Sequence, residues 1–153
     1  MPAFTLLLAA SWHSSVAQTS PALSVAPQGE LTIKRGAEAD LKLKAELRPG
    51  FHVNSNAPAD EFLIPLKLIW PKDSPIEARA VTYPKPQLEN YAFSAKPVSV
   101  FSGTFEIVTR FKVPGNAMTG VVPIVGKLRF QACNEKECLP PRTIDVHVTV
   151  AVQ

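Results

Sequence analysis

The chain has 153 residues, of which 46% are hydrophobic and 19% are charged, enough apolar material for one domain with a sizeable core. The formal net charge is only +3, and the basic residues are scattered among acidic ones rather than gathered into a run with interleaved aromatic residues. The composition therefore gives little support to nucleic-acid binding. Fifteen prolines would interrupt most helices, so the composition also argues against a helical fold.

The first segment of the chain has the character of an export signal, because residues 1–29 carry no Lys, Arg, Asp or Glu. An apolar run follows Ala3, and Ser15, Val16 and Ala17 form the small-x-small pattern that signal peptidase recognises. A positively charged start is missing, so a disordered apolar tail is the alternative. No later run of ~18 apolar residues occurs, so the mature chain is expected not to span a membrane. We predict a signal peptide over residues 1–17, a lead-in over 18–29 and one folded domain over 30–153.

The rest of the chain is predicted to form short β-strands. Between Leu41 and Leu47, apolar residues alternate with charged ones, as in a strand with one buried and one wet face. Turn signals containing proline or glycine separate such runs, and no segment has a sustained period of 3.6 residues. Many short strands at this spacing predict an all-β fold, an immunoglobulin-like antiparallel β-sandwich. The candidate strands are 31–34, 40–47, 51–54, 66–70, 77–83, 98–101, 104–113, 121–132 and 143–150.

The only two cysteines, Cys133 and Cys138, are separated by four polar or charged residues and lie between two strand-like runs. Two such runs joined by a polar loop at 134–137 predict a β-hairpin, which the cysteines would close from opposite strands. Directly opposed residues in antiparallel strands have Cα atoms roughly 4.5–5.5 Å apart, a distance that a disulfide can span. A disulfide between them is therefore feasible.

The spacing does not say what such a bond is for. A structural staple over so short a loop would contribute only about 2 kcal/mol, and a domain of this size can build a core without one. Small disulfide-dense secreted domains contain many more cysteines. Spacing alone leaves a redox-active pair and a structural staple equally open. Potential metal ligands near the pair are too few to complete a site, so neither a metal nor another cofactor is expected.

Four motifs follow one another in an order that resembles one protein family. Together they are similar to the periplasmic N-terminal domain of the bacterial thiol:disulfide interchange protein DsbD, over about residues 31–150. The cysteine segment that ends in two prolines is the most specific of the four. The motifs are Gly-Phe-His-Val-Asn-Ser-Asn-x-Pro at 50–58, Tyr-Pro-Lys-Pro at 83–86, Phe-Ser-Gly-Thr-Phe-Glu-Ile at 101–107 and Phe-Gln-Ala-Cys-x4-Cys-Leu-Pro-Pro at 130–141.

The resemblance implies an enzyme of the protein-disulfide reductase type that works in the periplasm without a cofactor. In this family the domain takes electrons from thioredoxin-like modules of a membrane protein of DsbD type. It passes them to oxidised periplasmic proteins, including disulfide isomerases and cytochrome c maturation factors. The resemblance also implies that Cys138 forms the mixed disulfide with a partner and that Cys133 resolves it.

Further residues are assigned to the site by the same resemblance. His52 and Asn54 share one strand face and match positions that line the cysteine site, whereas two polar residues on a wet face are the alternative. In the family, a loop bearing an aromatic residue covers the cysteines until a partner docks. The matching position is Phe101, with Phe93 as the rival and an ordinary core position as the alternative for Phe101.

Two departures from the family pattern limit what it implies. Some members have five residues between the cysteines, and here there are four. The family's membrane-spanning and C-terminal thioredoxin-like parts lie outside these 153 residues, which indicates either a free-standing shuttle or a piece of a longer protein. Two functions from different classes follow. The favoured one is a thiol–disulfide interchange domain, and the alternative is a non-catalytic immunoglobulin-like binding module with a structural disulfide.

Overall fold

The computed structural model describes residues 20–153, so the predicted signal peptide at 1–17 lies outside the described residues. The described part of the chain consists of strands and connecting loops, without a helix, which confirms the all-β prediction. The strands are β1 (Leu23–Val25), β2 (Glu30–Ile33), β3 (Glu38–Leu47), β4 (His52–Asn54), β5 (Lys67–Ile69), β6 (Glu77–Thr82), β7 (Gln87–Glu89), β8 (Val98–Ser102), β9 (Thr104–Lys112), β10 (Gly120–Phe130), β11 (Ala132–Cys133) and β12 (Arg142–Val152).

The strands form three four-stranded sheets. The first has the order β1-β3-β9-β6 and the second the order β2-β12-β10-β5. In these two sheets, β2 and β12 form a parallel pair, and all other neighbouring strands are antiparallel. The third sheet, β11-β4-β8-β7, is antiparallel throughout. Its strand β8 turns through Gly103, with φ of 63°, directly into β9 of the first sheet.

The core lies between the inner faces of the sheets because the long strands alternate apolar and polar residues. In β3, the apolar residues between Leu41 and Leu47 are buried and the charged residues between them are exposed, as predicted. Trp70, just after β5, bridges the layers, since its indole N–H donates to the Thr109 hydroxyl at 3.0 Å. Gly126 makes room for this ring, because a Cβ atom there would lie 2.7 Å from it.

The structure adds three strands to the predicted ones. β1 lies in the predicted lead-in and pairs with β3, so the lead-in belongs to the first sheet. β7 and β11 have three and two residues, too few to produce a periodic pattern. The predicted strand over 121–132 is interrupted at Gln131, because the chain leaves β10 there and joins β4 of the third sheet as β11.

Candidate redox site

Cys133 and Cys138 are joined by a disulfide in a loop beyond the end of the β10–β12 ladder. That ladder, the predicted hairpin, ends at the pair Phe130 and Arg142. Beyond it, the two cysteines face each other in an isolated antiparallel bridge, with their Cα atoms 3.9 Å apart. This separation is shorter than the sequence led us to expect. The pair therefore lies at the point where the chain crosses from the second sheet to the third.

Hydrogen bonds hold this cysteine loop, residues 132–139, in shape independently of the disulfide. The amide of Leu139 donates to the carbonyl of Ala132 at 2.8 Å, and the amide of Asn134 donates to the carbonyl of Glu137 at 2.9 Å. The Asn134 side-chain oxygen accepts from the amides of Lys136 and Glu137, both at 2.8 Å. Asn134 thus forms the turn that the polar loop predicted. None of these hydrogen bonds involves a sulfur atom.

The two cysteines differ sharply in exposure. Cys133 is only 1% exposed, whereas Cys138 is exposed to solvent. Burial of Cys133 follows from its place in β11, where it pairs with β4. Cys138 lies outside the strands, just before Leu139 and Pro140. An approaching thiolate or disulfide therefore has access to Cys138 rather than to Cys133.

His52 lies directly opposite Cys133 in the β4–β11 ladder, so the two side chains share one face of the third sheet. We call this the site face, and its members are Cys133, His52, Asn54, Val100 and Ser102. His52 is 4% exposed, and its Nε2 atom is buried without a hydrogen-bond partner among the described residues. Burial lowers the pKa of the imidazole, since desolvation penalises its charged form.

An aromatic stack covers His52 from the loop between β7 and β8. The Tyr91 ring is stacked on the imidazole with centroids 4.2 Å apart, and Phe93 is stacked on Tyr91 at 5.1 Å. Tyr91 is half-buried, whereas Phe93 is 45% exposed. The rings therefore form a lid over the residue that faces the buried cysteine.

Tyr91 of this lid and Glu135 of the cysteine loop both border an open cleft of about 470 Å³. Its walls include His52, Tyr91, Glu89 and Glu135, and Glu135 belongs to the cysteine loop. Burial raises the pKa of the Tyr91 phenol, and the negative charges of Glu89 and Glu135 raise it further. All three influences favour the uncharged form of the phenol.

Asn54 supports the site face from one end of β4. It is 1% exposed, and its side-chain amide donates to the carbonyl of Ile64 at 3.0 Å. This bond ties β4 to the loop that precedes β5. The alternative of a wet strand face is wrong for both His52 and Asn54, because both side chains are buried.

The structure does not bring Phe101 to the cysteines. Phe101 is opposite Val53 in the β4–β8 ladder, and Val53 is opposite Ala132 in the β4–β11 ladder, one position away from Cys133. Successive residues of a strand point to opposite faces, so these three residues form the core face of the third sheet. Phe101 is 3% exposed and stacks on Phe105 at 5.1 Å. Its surroundings are those of the core alternative, and the aromatic residues beside the site face are Tyr91 and Phe93.

Sequence reasoning missed Tyr91 and Glu89 as neighbours of the site. The available signal was the pair of aromatic residues at 91 and 93 in a short segment between two strands. Within residues 20–153, the His, Cys, Asp and Glu side chains form no group of three arranged to hold a metal ion. The same part of the chain contains no helix with the length and hydropathy needed to cross a bilayer.

Several solved structures share this fold at 12% sequence identity. The N-terminal domain of DsbD from Neisseria meningitidis, in the reduced form, has a TM-score of 0.50, with 76% of this chain and 82% of that chain covered. The N-terminal periplasmic domain of ScsB from Proteus mirabilis has a TM-score of 0.51, with 84% and 44% covered. The PapD-like domain 7 of human CEP192 has a TM-score of 0.50, with 96% and 98% covered. These similarities confirm the predicted sandwich fold.

The sequence itself carries the family assignment. No curated protein matches the chain. The family model for the N-terminal part of the thiol:disulfide interchange protein DsbD matches residues 20–149, which include β1 to β11, most of β12 and both cysteines. The predicted resemblance is confirmed, and the chain belongs to the DsbD N-terminal domain family.

Proposed function

We propose that this domain relays reducing equivalents through the reversible Cys133–Cys138 disulfide, as a protein-disulfide reductase module. The observation that carries the proposal is the difference between an exposed Cys138 and a buried Cys133 that are already bonded to each other. A structural bond has no need for one accessible sulfur. An exchanging pair needs one sulfur that meets partners and a second that resolves the mixed disulfide.

The exchange proceeds in two steps. In the reduced domain, the Cys138 thiolate attacks one sulfur of an oxidised partner's disulfide, and the partner's other sulfur leaves as a thiolate. The Cys133 thiolate then attacks the Cys138 sulfur, the intramolecular disulfide forms, and the second partner thiolate leaves. Two electrons have passed to the partner. Reloading runs in reverse, because a donor thiolate attacks the exposed Cys138 and releases Cys133.

The cysteine loop supports this chemistry mechanically. Its turn depends on the Asn134 side chain and on the backbone hydrogen bond from Leu139 to Ala132, neither of which involves the sulfurs. Opening and closing the bond therefore requires little backbone movement, and the oxidised and reduced forms can present one surface to successive partners.

Access to the buried Cys133 is controlled, we infer, by the lid of Tyr91 and Phe93. Phe93, the rival position in the sequence, takes the cap role here in place of Phe101. The support is the stack on His52, together with the exposed edge of Phe93 on a loop that an arriving partner could displace. Phe101 lies on β8, which pairs with β4 and β7 in the middle of a sheet, so a hinged movement of this strand would break two ladders.

The partners we propose are those of the family. A membrane electron-transfer protein of DsbD type with thioredoxin-like modules would reduce the domain. Oxidised disulfide isomerases or cytochrome c maturation factors would accept the electrons. This places the mature chain in the periplasm, after export through the predicted signal peptide, where a cysteine pair can be oxidised.

The reduction potential of the pair tests the proposal against the alternative of a binding module with a structural disulfide. An exchanging pair is expected between about −270 and −120 mV, the range of thiol–disulfide oxidoreductases, whereas structural disulfides lie below about −300 mV. The measurement is equilibration in glutathione or dithiothreitol buffers, followed by alkylation and mass analysis. A value in the structural range would favour the binding module.

A further inference from the structure

The exchange cycle does not explain how the resolving cysteine, Cys133, loses its proton. Cys133 must become a thiolate to attack Cys138, yet it is 1% exposed. Burial in apolar surroundings raises the pKa of a thiol, because the charged form loses its hydration. Water has little access to take the proton. A base within the buried site would remove this obstacle.

We propose that His52 is this base, which accepts the proton of Cys133 when the mixed disulfide is resolved. The inference rests on the proposed function and names a further residue for it. Three independent observations support the assignment: the cross-strand pairing of His52 with Cys133, the buried Nε2 without a partner, and the covering of the imidazole by Tyr91.

The register brings the two groups within reach. Directly opposed residues have Cβ atoms roughly 4.5–5.5 Å apart, so an imidazole and a thiol on one face can meet through small rotations. A buried polar nitrogen without a partner costs free energy, and such an atom at a functional site calls for an explanation. The thiol of reduced Cys133 supplies the missing hydrogen-bond donor.

The protonation state of His52 suits the role. Its lowered pKa keeps the imidazole neutral, and thus able to accept a proton, at neutral pH. The titratable groups that face it are Cys133 from β11, Tyr91 and Glu89 from the β7 side, and Glu135 from the cysteine loop. The two carboxylates line the same cavity and would stabilise the imidazolium that forms transiently.

The proton balance of the step is complete. Neutral His52 takes the proton from Cys133, the resulting thiolate attacks the Cys138 sulfur, and the bond between Cys138 and the partner breaks. The departing partner thiolate then receives the proton from the imidazolium. In the reverse direction His52 takes the proton of the attacking partner thiol, and the imidazolium then protonates Cys133 as it leaves Cys138, so His52 speeds both directions.

The experiment follows the closing step by itself. Reduced domain is mixed with an aromatic disulfide reagent whose released thiolate is coloured and needs no proton to leave. The first release reports the attack by Cys138 and depends on reagent concentration. The second release reports closure by Cys133 and does not depend on reagent concentration. Both rates are measured between about pH 5 and pH 8, the range over which histidines titrate.

We expect the wild-type closing rate to fall as the pH drops through the lowered pKa of His52, and to level off above it. His52→Phe keeps a ring for the stack but removes the base, and should slow closure about 10²-fold at neutral pH, within the usual contribution of a general base. The first release, which reports the attack by Cys138, should not change. The matched control is His147→Phe on the exposed side of β12, which should close at the wild-type rate.

Two results would overturn the assignment. One is a His52→Phe or His52→Gln domain that closes with the wild-type rate and pH profile. The other is a wild-type rate that rises in proportion to hydroxide over the whole range, a measurement that needs no variant to fold. A wild-type domain that shows no second release at all would instead contradict the proposed function itself.

Discussion

The two faces of the third sheet use the same strands for opposite purposes. On the core face, Ala132, Val53 and Phe101 lie side by side and join the main hydrophobic cluster. On the site face, Cys133 and His52 are equally buried but lie outside that cluster. A loop covers them instead of another sheet.

The side chains on the two faces of the third sheet are buried in different ways. Burial against a sheet is permanent, because neighbouring ladders hold both layers. Burial of His52 comes from the loop between β7 and β8, whose Tyr91 ring stacks on the imidazole, and the proposed displacement of this lid would expose the site face without unfolding a strand. Cys133 on the site face is 1% exposed, whereas Cys138 lies outside the strands and is exposed to solvent.

The largest expected effect separates the two cysteines. Cys133→Ser should let Cys138 hold a partner in a trapped mixed disulfide, whereas Cys138→Ser should abolish trapping, because the remaining thiol is buried. The measurement is non-reducing electrophoresis after incubation with an oxidised thioredoxin-like protein. Equal trapping by both variants would contradict the division of roles.

The core face is tested by Phe101→Ala. Removing a fully buried phenylalanine should reduce the free energy of unfolding by about 3–5 kcal/mol, measured by urea denaturation. The same truncation on the lid, Phe93→Ala, should cost less than about 1 kcal/mol, because Phe93 is 45% exposed and lies outside the core. A small loss at Phe101 together with a large one at Phe93 would reverse our assignment of the two faces.

Reduction of the disulfide should have a smaller effect on stability. The loop is short and has its own hydrogen bonds, so breaking the sulfur–sulfur bond should lower the free energy of unfolding by about 2 kcal/mol or less. The reduced domain should still unfold in one cooperative transition, followed by tryptophan fluorescence. A reduced domain that is unfolded at 25 °C would point to a structural staple.

The smallest expected effect concerns the access of a small reagent to the buried Cys133. In Phe93→Ala, Cys133 of the reduced domain should react with a small alkylating agent several-fold faster than in the wild type, since part of the lid is gone. Leu88→Ala is a matched control, because Leu88 is an exposed apolar residue on the neighbouring strand β7. Equal alkylation rates in the wild type and Phe93→Ala would show that the lid does not control access.

Much of the fold and the turn between the cysteines could be predicted from the sequence, because these features depend on local patterns. Alternation from Leu41 to Leu47 predicted which side of β3 is buried, and the polar loop between the cysteines predicted the turn that Asn134 forms. The order of four short motifs predicted the family. Such signals need no knowledge of which strands become neighbours.

The partners of β4 were decided only by the tertiary structure. A three-residue strand carries no information about its ladders, so its pairing with both β11 and β8 could not be read from the chain. That pairing decides every assignment at the site. It sets His52 opposite Cys133 and turns Phe101 toward the core, because a register shift of one residue would exchange the two faces. The sequence by itself determined which residues are able to do the chemistry, and the cross-strand register decided which of them meet.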